Sequence, residues 1–402
     1  MSSENVQPLI ASWALSSKYN NGPRIEDRLA PPKYKRINTL HTTVWREEAC
    51  SSTLNWGTAN WSYLFPQSLQ VVSSAFIRIQ LPALTQGAYR KHVGLHCVKS
   101  MRLLSAGNTV YEITDLQTYL RDYMESLTDE EFKVFSEAYL GGETESQEQR
   151  DVYIPILLPN SGFALRHGSQ GANRGLGVWP ADLGSSQRLE VQITMCADTQ
   201  QNTDSANQTA AINQGACVMA IREVKMSQSN LQDYKNHRGR YSTISRRFTD
   251  LTSDWEVAEA NVKRTLLFNQ PSGSVSELQI IAVPFDADKN KRDYLEAVQP
   301  TQIKFICDAV TVRDFNRASK VKLHNYKNGF INGTNVKAIG RICFGSHSSE
   351  ASHVFTGAFN FSNISQIKLE VTFAEKVDFK VVAVQLQCSQ IDNAGVVTSY
   401  LD

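Results

Sequence analysis

Short runs in which apolar side chains fall on every second position recur through this chain, and that period of two constrains its fold more than any other feature. Ala75, Ile77, Ile79 and Leu81 alternate with Phe76, Arg78 and Gln80. Leu189, Val191, Ile193 and Met195 alternate with Glu190, Gln192 and Thr194, and Ile367, Leu369, Val371 and Phe373 with Lys368, Glu370 and Thr372. Successive side chains of a strand point to opposite faces, so each run predicts a half-buried strand with one face on a core. The spans 278–285 and 379–388 are almost continuously apolar, the pattern of strands covered on both faces. Pro, Gly and Asn turns separate the runs. Many short strands punctuated in this way predict a mainly all-β chain of antiparallel sandwiches. Strand sets on either side of residue 207 predict two of them.

Three segments depart from the β pattern. In 114–140, Leu116, Tyr119, Leu120 and Tyr123 share one helical face, Thr128 and Glu131 form a capping box for a second helix, and Gly141-Gly142 ends it. Near the start, Val6, Leu9, Ile10, Trp13 and Ala14 have the spacing of an amphipathic helix and are followed by Pro23, Pro31 and Pro32. Residues 1–65 therefore read as an N-terminal arm with an amphipathic helix, which either docks on its own domain or reaches beyond it. The polar segment 199–214 has no periodic apolar face. It predicts a boundary near 207, with one sandwich over 66–207 and the other over 208–402.

With 402 residues and 41% hydrophobic content the chain can bury two cores. Lys and Arg total 41 against 40 Asp and Glu, so the chain as a whole is not built to bind polyanions. None of the seven cysteines (Cys50, Cys97, Cys196, Cys217, Cys307, Cys343, Cys388) has a partner at zinc or redox spacing. Most sit beside apolar residues in strand-like runs, as buried thiols of a reducing compartment would. The start MSSENVQPLI lacks a secretory pattern, and no window approaches the ~20 apolar residues of a membrane span. Synthesis in the cytoplasm or nucleus, without secretion, is the expectation.

No catalytic constellation stands out in the sequence. Residues 171–177 hold three glycines, but no strand feeds them and Pro180 follows, so the dinucleotide-binding test fails. No G-x-S-x-G elbow or H-E-x-x-H motif occurs, and His347, Glu350 and His353 stand in Ser/Thr-rich sequence expected to be an exposed loop. No catalytic, cofactor-binding or metal residue is therefore proposed, and no cofactor is expected.

Binding features are local. Lys235, Arg238, Arg240, Arg246 and Arg247 form a basic run with Tyr241 and Phe248, and a second run holds Arg317, Lys320, Lys322, His324 and Lys327. Each is either a solvated surface or one that meets nucleic-acid phosphates without reading sequence. Trp45, Trp56, Trp61 and Trp179 occur in loop-like sequence, where they either cap their own sandwich or anchor contacts between subunits. A β-sandwich carbohydrate- or receptor-binding module is the reading of another class, with Trp179, Trp255 or Tyr241 as stacking platforms.

The C-terminal fifth carries a family resemblance. Gly357, Asn360, Phe361 and Ser362 form a G-x-x-N-F-S turn ahead of an alternating strand, a buried strand and a glycine-containing tail. This resembles the ending of double jelly-roll major capsid proteins of tailless icosahedral DNA viruses, the lineage of adenovirus hexon, large algal viruses and virophages. Val152-Tyr-Ile-Pro155 through Pro159, then Gly162 to Leu165 and the strand at 189–195, is similar to the close of that family's first module. Val275-Ser-Glu277-Leu278 is similar to a segment of its second. The resemblance departs where Leu157 and Leu158 replace an aromatic pair, and it spans most of 65–402. It implies two eight-stranded jelly rolls in tandem with short helices between strands, and a non-enzymatic subunit forming pseudo-hexameric homotrimers in a shell. Neighbouring capsomers and minor or vertex proteins would be partners. The arm and the basic run would face the genome or an internal membrane. A single jelly-roll, minor or vertex capsid protein is the alternative within that class.

Overall fold

The computed structural model describes residues 41–50, 52–125, 127–156, 158, 179–180, 188–203, 211–238, 242–252, 254–268, 273–286, 292–327, 336–344, 358–362, 364–391 and 397–401. The helix expected at 6–14, the glycine loop at 171–177, and His347, Glu350 and His353 lie outside them.

The first elements are β1 (His41–Ala49), β2 (Trp61–Leu64), β3 (Val71–Leu81), β4 (Val98–Ser105), β5 (Asn108–Ile113), α1 (Leu116–Glu125), α2 (Asp129–Tyr139), β6 (Arg150–Ile156), β7 (Trp179–Pro180), β8 (Leu189–Met195), β9 (Val218–Met226) and α3 (Gln228–Arg238). Then come β10 (Ser242–Asp250), β11 (Glu256–Ala258), β12 (Arg264–Phe268), β13 (Ser274–Pro284), β14 (Gln302–Cys307), β15 (Val310–Phe315), α4 (Ala318–Lys327), β16 (Gly340–Cys343), β17 (Phe359–Asn360), β18 (Ile367–Thr372), β19 (Val377–Ile391) and β20 (Val397–Leu401).

Two sheets are ordered β1-β9-β3-β6 and β2-β8-β4-β5, and two more β10-β19-β13-β16 and β12-β18-β14-β15. Leaving out β7, β11, β17 and β20, which lie off these paths, each set counts eight. Both sets have the same order: first, eighth, third, sixth in one sheet and second, seventh, fourth, fifth in the other. That is the jelly-roll order, and the chain carries it twice. In both rolls the connection from fifth to sixth strand is helical, α1 with α2 in the first and α4 in the second.

The expected division of the chain needs correction. Two compact units comprise 1–117, 133–245 and 387–400, and 118–132, 246–386 and 401–402. The eighth strand β9 pairs with β1 from His41↔Met226 to Ala49↔Val218 and also with β3, so the first roll runs well past residue 207. The polar stretch after 199 joins its seventh and eighth strands. Residues 41–65 are not arm, because they supply its first two strands. β1 escapes the alternation test because Arg46, Glu47 and Glu48 lie on it, and charge is what an exposed edge strand carries.

In the first unit, Ala75, Ile77, Ile79 and Leu81 on β3 are fully buried, as are Val191 on β8 and Val152 on β6. The burial of β8 alternates without a break, as its sequence requires. The opposite face of β3 is also covered: Tyr139 of α2 stacks on Phe76 with centroids 5.1 Å apart, and Phe135 lies 5.1 Å from Tyr139. In the second unit Phe305, Phe361, Phe373 and Phe379 are fully buried among Leu278, Ile280, Leu369 and Val381. Each such side chain contributes roughly 1.5–3 kcal/mol of burial.

Candidate functional site

The residues singled out from sequence fall in different settings. Trp45 lies on β1 and remains 56% exposed, its ring 6.1 Å from Phe76. Trp56 is half-buried in a turn. Trp61 is a correction: it is not in a loop but on β2, 3% exposed, stacked 6.5 Å from Tyr63 with its Nε1 donating to the Ser52 carbonyl at 3.2 Å. The short strand β2 alternates in burial and turns Trp61 and Tyr63 inward together, so Trp61 cannot anchor a contact with another molecule. Trp179 pairs through β7 with Val72 of β3, and its side chain lies outside the described residues.

The basic run splits in the same way. Lys235 and Arg238 are on α3 with side chains outside the described residues, as is the whole of Arg240. Arg247 is half-buried on β10. Arg246, expected on a genome-facing surface, is instead buried on β10, its Nη1 2.8 Å from Asp122 Oδ2 and its Nη2 3.7 Å from Glu277 Oε2. A guanidinium held there by two carboxylates has no reach to solvent phosphates.

Those contacts belong to a charge cluster on the second unit's β10–β19–β13–β16 sheet. From Ser274 to Val283 the residues of β13 are buried on both faces. Leu278, Ile280 and Ala282 point into the core, while Glu277 and Gln279 point the other way, Gln279 to Asp122 of α1 and Glu277 to the arginines that reach α1. Arg341 of β16, fully buried, donates to Glu277, to Asp122 at 2.9 Å and to Glu125 at 2.6 Å. Gln279 donates to Asp122 at 3.0 Å. Arg121 donates to Glu125 at 3.0 Å, to the Tyr294 carbonyl at 2.9 Å and to the Lys337 carbonyl. Burial pulls the Arg121 guanidinium down from its ordinary range, and the carboxylates of Glu125 and Asp122 oppose that pull. Three guanidinium groups thus face three carboxylates, a balance that buried charge requires. The cluster is hidden in sequence because charged residues on a helix normally read as solvated. The available signal was Glu277 leading directly into the apolar run 278–285, and Arg341 set between Ile339 and Ile342-Cys343.

Trp255 is no sugar platform. Arg292 lies 4.7 Å and Lys380 5.2 Å from its ring centroid, and Tyr294 meets it edge-on at 5.5 Å; cations of the same chain already engage its π system. Tyr241 lies outside the described residues.

The Asn360-Phe361-Ser362 turn is architectural. Asn360 Oδ1 accepts from Ser362 N–H at 2.8 Å, β17 pairs with Ser274 and Val275 of β13, and fully buried Phe361 packs with Phe305, Phe344 and Phe359 at centroid distances of 6.0, 5.8 and 4.9 Å. Gly357 lies outside the described residues.

Among the described residues no cluster of three or more His, Cys, Asp or Glu is arranged to hold a metal, and no helix is long and apolar enough to cross a membrane. The outward features are surfaces instead. Trp45, Val134 of α2, Val310 of β15, and Leu323 and Tyr326 of α4 are large apolar side chains left exposed.

No protein-family model and no curated sequence matches this chain. Solved structures do. PBCV-1 VP54, as fitted into a cryo-EM reconstruction of the virophage Sputnik, is similar at a TM-score of 0.64 and 9% identity, over 91% of this chain and 97% of that one. The Faustovirus major capsid protein is similar at 0.58 and 10% identity over 95% and 98% of the two chains, and the mavirus major capsid protein at 0.57 and 8% identity over 91% and 92%. What they share with this chain is the double jelly-roll fold, over nearly the whole length of each.

Proposed function

We propose that this chain is a major capsid protein, a non-catalytic subunit whose work is to assemble into the shell of an icosahedral virus. The observation that carries the reading is the jelly-roll strand order present twice, each time with a helical excursion between fifth and sixth strands. Two like units in one chain mean that a ring of three chains presents six, so a trimer fills a position of hexagonal symmetry. The likeness to the Faustovirus and mavirus major capsid proteins supports the same reading. The described residues offer buried cores for stiffness and exposed apolar side chains, Trp45 foremost, for contacts between copies. Residues 1–40 and the basic residues Lys235, Arg238 and Arg240 are proposed for the shell interior, beside genome or membrane. A shell of this kind would place the protein in the virion, with neighbouring capsomers and minor or vertex proteins as partners.

Light scattering behind a sizing column, with negative-stain imaging of the peak, tests the proposal. A species at three times the 45.0 kDa chain mass with a hexagonal outline is expected. A protein that stays monomeric at every concentration and salt level tried would overturn it.

A further inference from the structure

The helical excursions of the two rolls occupy equivalent places in the strand order, yet they carry opposite charge. Residues 129–148, from α2 to the approach to β6, hold seven acids and one base, while 317–327, spanning α4, hold four bases and no acid. The chain as a whole stands at +1, so this polarity is concentrated rather than general.

Each helix is fastened by one face and bare on the other. On α4, Val321 and Asn325 are buried, and Asn325 Nδ2 donates to the Ile339 carbonyl at 2.9 Å. Outward stand Lys320, Lys322, Leu323, Tyr326 and Lys327, with Leu323 51% and Tyr326 70% exposed. On α2, Phe135 and Ser136 are buried and Tyr139 stacks on Phe76. Glu130, Val134 and Glu137, spaced to share a face, are exposed, Val134 by 64%. Each outer face therefore has an apolar centre and a charged rim, the anatomy of a protein contact. The rims are opposite in net sign: that of α4 holds only lysines, and that of α2 holds Glu130 and Glu137 with the single base Lys133 beside them. A helix built only to touch phosphates would not need Leu323 and Tyr326 in its middle.

We propose that the outer face of α4 on one copy docks on the outer face of α2 on the next, joining copies head to tail. This deepens the ring assembly proposed above and rests on it. One chain carries one face of each sign, so the contact is heterologous and can repeat until the ring closes. Val134 meets Leu323 and Tyr326 at the centre, and the lysines of α4 meet Glu130 and Glu137. Exposed pairs of this kind steer encounter and fix register more than they add affinity.

Three charge variants of the full chain test it, with trimer dissociation followed by light scattering across salt concentration and folding by circular dichroism. K320E/K322E/K327E alone and E130K/E137K alone should each weaken the trimer by about tenfold or more, most strongly at low salt, with unchanged spectra and melting. Combining both sets in one chain reverses both signs and should bring the trimer back to within about threefold of wild type. A wild-type trimer indifferent to either reversal overturns the helix contact and leaves the trimer reading standing. So does a loss that the combined variant fails to restore. A wild-type chain that never trimerises overturns both. If a reversal disturbs folding, Val134→Ser and Tyr326→Ser decide the matter: weaker trimers support the contact, unchanged trimers sink it.

Discussion

Arg341 shows how much one side chain can carry. It is fully buried and binds three carboxylates, two from α1 and one from β13. Replacing it with methionine keeps much of the volume but leaves Asp122, Glu125 and Glu277 with less positive charge than they need. The loss should be about 3–5 kcal/mol, read from the denaturation midpoint. His324 of α4 makes a pH prediction. Its Nε2 accepts from the Cys343 N–H at 3.1 Å, and burial first, then Arg313, pulls its pKa down to about 4. A free histidine titrates near ~6.5, so between about 6.5 and 4 the unfolded chain takes up a proton that the folded chain refuses. His324 thus leaves stability undiminished above about pH 6.5 and lowers it as the pH falls toward 4. His324→Gln, which keeps an acceptor and cannot titrate, should flatten the melting temperature over that window. An unflattened profile would assign the acid sensitivity elsewhere.

At the level of elements, strand pairing sets tolerances that composition does not display. Gly340 opens β16 opposite Ile280. A methyl there would lie 2.7 Å from Pro300 Cγ, 2.9 Å from Pro300 Cδ and 3.3 Å from Ile280 Cβ. A proline ring cannot swing aside, so Gly340→Ala should destabilise by about 1–3 kcal/mol through overpacking, measurable by thermal unfolding. The alternating strands β8 and β18 bury as their period demands. β1 and β2 read as part of an arm in sequence because one is charged along an edge and the other is only Trp61–Leu64, too short for periodicity to register.

For the whole molecule, the interleaving of chain segments has a consequence for dissection. A fragment 208–402, the second domain as the sequence suggests it, should fail to fold when expressed alone. It lacks Thr118–Phe132, and with them the Asp122 and Glu125 that hold Arg341 and Arg246, while carrying β9, which pairs with β1 and β3. A soluble fragment with a cooperative melt would contradict that account. What the sequence alone determined was the class of structure. Period-two runs such as 75–81, 189–195 and 367–373 can bury one face only in a sheet, turns of Pro, Gly and Asn make those sheets antiparallel, and two sets of them make two sandwiches. Tertiary structure decided which strands belong together, that α1 serves the second roll's sheet, and that Arg246 and Trp61 lie inside while Trp45 stays out. Local pattern reports how a residue relates to its neighbours in the chain. Burial of a charge or a ring depends on partners more than a hundred positions away, as Arg246 depends on Asp122, and no local period encodes them.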